Sequence, residues 1–446
     1  MTTAPRLPNG QRVTYYNRAI ETMPRDALRD YQWQRLQTLM ARVFPANPFW
    51  VKKWRDAGFS GPRDIRGWDD FARLPFLTKQ ELVADHEAYP PYGSNLSAPL
   101  RRYVRFHQTS GTTGKPMICL DTRDTYDRYV RCWAMALRGN GIGPGDRVYF
   151  AFSFGPFYGF WGAFEATPRV GAIAIAGGGQ SPLQRLATIA NGDVTVLVCT
   201  PTYALRLAEE AAQNKVDLAS SPIRKTVHAG EPGASIPATK KRLEELYGAE
   251  SFDHAGMTEV GATTFECQAH PGGMHLIDSE FIFEVLDPTT GRPVPDGQEG
   301  ELVLTNLGRW AVPVFRYRTG DRVRRDSSVC VCGRTFARLQ GGILGRVDDM
   351  VVVRGVNVFP SAFEGILRRH SEVQEYQVEI RQERGMYELA LKVELDRARV
   401  ADPTSFLRSL ENEIHVGLSL SVDTTLAPSG SLPRYEFKSR RFVFIK

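Results

Sequence analysis

The chain has 446 residues, with 56 Lys and Arg against 50 Asp and Glu, 42% hydrophobic and 24% charged residues. That length exceeds one compact core of usual size, so two or more domains are expected, and the composition is an ordinary soluble globular balance. The net charge of +6 suits phosphate-bearing ligands and no special partner equally well; nucleic acid is not an expected partner, because the densest basic run, Lys438 to Arg441, is short.

The start, Met1 to Tyr15, has no apolar stretch of signal-peptide kind, and no segment reaches membrane-spanning length, so no membrane association is expected. Cys119, Cys132 and Cys199 lie singly in apolar or mixed segments, whereas Cys267, Cys330 and Cys332 form part of a Cys/His group. This is not an extracellular disulfide framework, and a cytoplasmic location is expected.

In chain order, residues 1–100 read as a helical lead-in. Leu28, Leu36, Leu39 and Met40 recur at helical spacing, and Pro45, Pro48, Pro62, Pro75, Pro90 and Pro91 then punctuate the segment. Residues 101–280 alternate strands and helices. Val148–Phe152, Ala172–Ala176 and Val194–Val198 fit buried strands, with amphipathic helices at Ser181–Ala190 and Pro201–Asn214 between or beyond them. Strand, helix, strand in succession predicts an α/β fold with parallel sheets flanked by helices, and ligands at the loops beyond the strands' carboxyl ends. Residues 281–347 are strand-rich, with Phe281–Asp287 and Glu301–Asn306 the clearest runs. After the polar Arg346–Asp349 stretch, residues 348–446 predict a small α+β domain. It holds a strand at Val351–Arg354, helices at Ala362–Arg369 and Thr404–His415, and paired strands at Val373–Arg381 and Tyr387–Leu395. The expected division is therefore 1–347 and 348–446.

The strongest local pattern is Thr109-Ser-Gly-Thr-Thr-Gly-Lys-Pro116. Its glycines let backbone N–H groups approach an anion closely, its hydroxyls add donors, and Lys115 adds a point charge. It is not a Walker A loop, since Thr stands at 109 and Pro at 116 where that motif needs Gly and Ser or Thr. Alone, the octapeptide fits a phosphate loop and a plain Gly/Thr turn about equally.

The octapeptide resembles the phosphate loop of the adenylate-forming superfamily of acyl-CoA synthetases, adenylation domains and luciferases. Further matches follow in the superfamily's order: Ala229-Gly-Glu-Pro-Gly233, Asp253-His-Ala-Gly-Met-Thr-Glu259, Tyr317-Arg-Thr-Gly-Asp321 and Gly345-Arg-Val-Asp-Asp349. Arg354-Gly-Val-Asn-Val-Phe-Pro360, together with the segment from Asn47-Pro-Phe-Trp50 to Leu77-Thr-Lys79, is similar to the phenylacetate–CoA ligase branch. The resemblance covers nearly the whole chain. It implies a large adenylate-forming N-terminal domain, a mobile C-terminal domain, and ATP-dependent conversion of a carboxylic acid to acyl-AMP and then to a thioester of coenzyme A.

The resemblance also implies roles. Ser110, Gly111, Thr112, Thr113, Gly114 and Lys115 would cradle ATP phosphates, with Thr112, Thr113 and Lys115 on the β- and γ-phosphates. Gly230, Glu231, Pro232, Asp253 and His254 belong to the nucleotide-binding loops. Thr258 would contact the α-phosphate and Glu259 would help position Mg²⁺. Asp321 would hold the ribose, with Arg346 close to it. Lys438 would bridge the acid carboxylate and the α-phosphate, and Asp348 would be the inter-domain hinge. The chain departs from the family at Ala255, where an aromatic residue usually packs on adenine; His254 is a substitute surface or a core histidine.

Cys267-Gln-Ala-His270 with Cys330-Val-Cys332 offers a Cys₃His set suited to structural Zn²⁺, with His275 a competing ligand. The aromatic run Tyr149 to Trp161 suits a flat apolar acid pocket. Phe157, Tyr158, Phe160 and Gly178 are the candidates there, although many such rings belong to a core. Expected partners are an aromatic (aryl or arylacetic) acid, ATP and coenzyme A. Two other readings stay open: loading of the acid onto a carrier protein, and a non-catalytic nucleotide-binding regulator. A homodimer is the assembly left open.

Overall fold

A computed structural model describes residues 5–7, 10, 12–109, 116–347, 351–353, 356–383, 386–418, 420–435 and 439–445. Two compact units emerge, one of Met1–Gly179 with His254–Gly342 and one of Gln180–Asp253 with Ile343–Lys446. The division at 347/348 remains a proposal, and Asp348 lies outside the described residues.

In the first unit the lead-in does not stand apart. Helix Arg25–Val43 buries Leu28, Gln32, Leu36, Leu39, Met40 and Val43 along one face, and Gln32 Nε2 donates to the carbonyls of Asp278 (2.7 Å) and Phe281 (2.8 Å). Asn47 caps helix Pro48–Asp56 by accepting from the Trp50 amide. Trp50 and Trp54 then each set an edge against Phe315 at 4.9 Å between ring centroids. Leu77 exchanges backbone hydrogen bonds with Arg316 and Arg318. These contacts dock the lead-in on an antiparallel sheet whose strands run in the order Thr264–Cys267, His270–Leu276, Arg338–Gln340, Tyr317–Asp326, Glu299–Asn306 and Phe281–Leu286. Arg147–Phe150 and Ile173–Ala176 pair in parallel in the same unit.

The expected buried strand at Ala172–Ala176 forms, but it is largely open: Ile173 is 61% exposed. Among the described residues it sits at the end of its sheet with one neighbouring strand.

A buried ion pair anchors the first unit's N-terminal end. Arg334 Nε lies 2.7 Å from Glu21 Oε2 with both side chains fully buried, and Glu21 Oε1 also accepts the amides of Tyr16 and Asn17. Removing one partner leaves an uncompensated buried charge. Glu21→Ala is therefore expected to destabilise the protein by about 3–5 kcal/mol in urea unfolding.

The second unit opens with strands Val196–Cys199 and Lys225–Ala229, parallel and buried along their whole length, joined through helix Pro201–Gln213. Burial on both faces explains why Val196–Cys199 reads as a continuous apolar run without alternation. Its C-terminal part is a four-stranded sheet in the order Asp423–Leu426, Met386–Leu395, Val373–Glu383, Phe442–Ile445. The central pair is antiparallel and both outer strands join in parallel. Helices Pro360–Leu367 and Pro403–Leu418 contribute Phe363, Leu367, Leu410 and Ile414 to a core shared with Val378, Leu391 and Val393. This is the α/β fold with a small α+β C-terminal region. Among the described residues, no helix is long and apolar enough to cross a membrane.

Candidate functional site

In the first unit, the Gly256-Met-Thr-Glu-Val-Gly261 segment is a tight hairpin in which Gly256–Met257 pairs with Gly261–Ala262. Two glycines make it feasible. A Cβ on Gly256 would lie 2.6 Å from the Gly261 carbonyl oxygen, and Gly261 takes φ +115°. Thr258 and Glu259 sit at the tip. Glu259 is buried, its Oε1 accepts from the Tyr317 hydroxyl at 2.7 Å, and Lys79 Nζ lies 3.9 Å from the same oxygen. Tyr317 begins the strand that carries Thr319 and Asp321, where the Asp321 amide donates to Thr319 Oγ1 and Asp321 is buried.

The hairpin is clasped from behind. Arg309 Nη1 donates to the Thr258 carbonyl (2.9 Å) and Asn306 Nδ2 to the Val260 carbonyl (2.7 Å). Arg309 also forks onto Asp121 through Nε (3.0 Å) and Nη2 (2.8 Å), with both side chains buried. Sequence reading missed Arg309, Asp121 and Asn306. Nothing in their local sequence marked them, since the partners are brought together only by the fold.

Asp121 lies on strand Ile118–Thr122, which pairs with Tyr103–Gln108 across the octapeptide 109–116. The base of that loop is closed: Thr109 N donates to the Met117 carbonyl, and Met117 N to Thr109 Oγ1. Ser110, Gly111, Thr112, Thr113, Gly114 and Lys115 lie outside the described residues.

His254 is a core residue. Its ring lies 3.8 Å from that of Trp133, and burial pushes its pKa down to about 3, so it stays neutral. Ala255 is bound by its backbone alone: its amide donates to Thr264 Oγ1 and its carbonyl accepts from the Thr263 hydroxyl and amide. Packed against Trp133 and buried, the imidazole offers no exposed face for stacking.

Of the acid-pocket candidates, Tyr158 and Phe160 are core. Tyr158 stacks on Tyr129 at 3.9 Å, and Phe160 sets an edge on Phe152 at 4.9 Å. Phe157 is half-buried and Gly178 is exposed. A Cβ on Gly178 would approach Phe154 Cδ2 to 3.2 Å, so a half-buried ring of the aromatic run, not singled out from the sequence, borders that glycine.

The Cys/His group assembles with a different histidine. Ligand atoms of Cys267, His275, Cys330 and Cys332, all buried, lie within 4.8 Å of one another. Cys267 and Cys330 sulfurs are 3.9 Å apart, and Cys332 Sγ is 3.5 Å from His275 Nε2. Zn–S of about 2.3 Å and Zn–N of about 2.05 Å at tetrahedral angles give about 3.8 Å and about 3.6 Å for these separations. His275 Nδ1 lies 3.1 Å from the Phe336 carbonyl, the second hydrogen bond that leaves Nε2 as a ligand atom. Expected ligand His270 is not in the group. It sits half-buried at the hairpin tip, opposite Cys267 and with its ring near Gly273, whereas His275 faces Arg338 on the neighbouring strand that follows the Cys330 turn.

In the second unit, Gly230 takes φ +100° after strand Lys225–Ala229. Glu231 then spends both carboxylate oxygens on amides, Oε1 on Thr202 (3.0 Å) and Oε2 on Ser439 (2.7 Å). Pro232 continues this loop, Asp253 is buried and Arg346 half-buried. Lys438 lies outside the described residues. The chain just beyond it is held by Arg441, buried against Glu375 (2.6 Å) and Glu364 (3.6 Å).

Residues 103–308 match the AMP-binding enzyme family, and residues 355–444 match the AMP-binding enzyme C-terminal domain. The phenylacetate–coenzyme A ligase of Thermus thermophilus is 34% identical over 94% of this chain and 97% of its own length. That of Escherichia coli K12 is 32% identical over 95% and 96%. A solved 2-hydroxyisobutyryl-CoA ligase, in complex with an acyl-adenylate in the postadenylation state, superposes with TM-score 0.91 at 31% identity, covering 97% of this chain and 92% of that one. Matched in both parts and along nearly its full length, this chain belongs to the phenylacetate–CoA ligase family of AMP-binding acid–thiol ligases.

Proposed function

We propose that this protein activates an aromatic carboxylic acid, aryl or arylacetic, with ATP to give acyl-AMP and pyrophosphate, and then transfers the acyl group to the thiol of coenzyme A. The observation that carries this reading is the clasped hairpin presenting a buried Glu259 carboxylate braced by Tyr317. Thr258 would contact the α-phosphate and Asp321 the ribose hydroxyls. Thr112, Thr113 and Lys115 would hold the β- and γ-phosphates, and Lys438 the reacting carboxylate. Asp348 would be the pivot between the two half-reactions. Glu259 is an oxygen donor of the hard kind Mg²⁺ prefers. When bound, that ion would offset the repulsion between the carboxylate nucleophile and the ATP phosphates and stabilise departing pyrophosphate. The adenylate is itself the activated acyl donor, so no protein nucleophile is required.

Aromatic character is supported by Phe154 and Phe157, half-buried rings in the run that borders Gly178, and by relatives named for phenylacetate. The solved relative is named for a small aliphatic hydroxy acid, so the two classes compete directly. Acid-dependent exchange of pyrophosphate into ATP, run over phenylacetate, benzoates, aminobenzoates, hydroxybenzoates, indoleacetate and 2-hydroxyisobutyrate, tests the assignment. An aromatic acid is expected to lead by roughly tenfold or more, the range open to one shaped apolar pocket; a lead for 2-hydroxyisobutyrate ends the aromatic reading. Free acyl-CoA from CoA alone distinguishes this acceptor from a carrier-protein thiol, and silence across the panel would favour a binding protein.

We further propose that Cys267, His275, Cys330 and Cys332 hold a structural Zn²⁺ with no open position for chemistry. The separations and the imidazole hydrogen bond support it.

A further inference from the structure

We infer that Arg309 is a positioning residue for adenylation, one guanidinium that makes the strand leaving the phosphate loop and the Thr258–Glu259 hairpin a single rigid block. The inference rests on the proposed role of that hairpin in the first half-reaction.

Three hydrogen bonds define the block. Nε and Nη2 take both oxygens of Asp121, which lies six residues after Lys115 on strand Ile118–Thr122, and Nη1 takes the carbonyl of Thr258. Asp121 is held in turn by the Thr125 hydroxyl at 2.8 Å. Asn306, the last residue of strand Glu299–Asn306 and three before Arg309, binds the Val260 carbonyl, while its Oδ1 accepts the amides of Gly308 and Arg309. The carbonyls on either side of Glu259 are thus both occupied by side chains from one short stretch, 306–309. The Tyr158 ring lies 5.0 Å from the guanidinium carbon and closes another side.

The chemistry of the side chain matters. A planar guanidinium can hold a carboxylate through two N–H groups and still direct a third at a carbonyl; an ammonium cannot keep all three directions at once. The Asp121 carboxylate neutralises the guanidinium, and both groups are buried, so Arg309 acts through the elements it joins rather than on the phosphates. A loosened block misplaces groups that hold opposite ends of the reacting triphosphate, and a displacement of about 1 Å costs on the order of 10²-fold in rate.

The test separates the half-reactions. Arg309→Lys keeps a cation beside Asp121. It is expected to lower kcat for acid-dependent pyrophosphate exchange by about 10²-fold, with KM for the acid and CoA thioester formation from supplied acyl-adenylate each within about threefold. Asn306→Ala, which leaves the ion pair intact, should lower exchange about tenfold with the same split. Asp121→Asn combined with Arg309→Lys should be no worse than the worse single variant, because the pair acts as one unit. Exchange within threefold of wild type in Arg309→Lys, an equal fall in both half-reactions, or additive losses in the double variant overturns the inference. Glu259→Gln reports on the underlying reading: undiminished exchange there removes the hairpin from adenylation and the inference with it.

Discussion

Replacing Lys438 with alanine is expected to lower acid-dependent pyrophosphate exchange by roughly 10²–10³-fold, the loss seen when one preorganised charge-stabilising donor is removed. Thioester formation from supplied acyl-adenylate and CoA is expected to stay within about threefold. As the acid carboxylate attacks the α-phosphate, negative charge grows between them, and an ammonium placed there binds the transition state more tightly than the substrates. Once the adenylate exists, that charge has left with pyrophosphate and the cation has nothing further to stabilise. The surroundings suit such a role. Ser439, the next residue, donates its amide to Glu231, and Arg441 is locked into buried Glu364 and Glu375. The chain beyond position 438 is therefore held at two points within three residues. Equal losses in both half-reactions would sink the assignment, as would an unaffected exchange rate.

The second large effect concerns the Cys/His group. Purified protein is expected to carry one zinc per chain. His275→Ala or Cys332→Ser should lose the metal and lower stability by about 3–5 kcal/mol, comparable to breaking a buried charged cluster by removing one partner. At about 2–4 °C per kcal/mol, the unfolding midpoint should fall by on the order of 10 °C. His270→Ala should retain both metal and stability. The site ties strands Thr264–Cys267 and His270–Leu276 to the Cys330 turn, and Arg334 beside that turn is the residue paired with Glu21. Metal loss should therefore expose the N-terminal end of the first unit to proteolysis. Protein without zinc, or a His270→Ala variant that loses the metal while His275→Ala keeps it, would refute the assignment.

Both expectations began from sequence, with unequal precision. The candidate ATP loops were legible because their requirements are local. Glycine is needed where a Cβ on Gly256 would meet a carbonyl at 2.6 Å and where Gly230 and Gly261 take positive φ, so the motif carries its own backbone conformation. The helix read at Ser181–Ala190 from its amphipathic pattern forms, with Ser181 and Gln184 as a capping box at its start, whereas the helix capped by Thr78 and Glu81 lay in a stretch read only as punctuated by proline. The C-terminal α+β region was legible from clear periodicities. Burial was less so. Ala172–Ala176 reads as apolar as Val194–Val198, yet one lies at a sheet end and the other within a wholly buried strand pair. Phe154, Tyr158 and Phe160 are neighbours in one aromatic run, and nothing local distinguishes core rings from those left half-buried.

By itself, then, the sequence supplied the reaction class through the resemblance carried by its ordered loops, and the presence of a Cys₃His set through residue type alone. Which histidine joins the thiols was decided by strand register, which turns His275 inward and leaves His270 at a hairpin tip. That Arg309 grips Asp121 across 188 residues of chain was likewise decided only by the fold. Such a partnership follows from how strands are brought together, and residue spacing along the chain carries no trace of it.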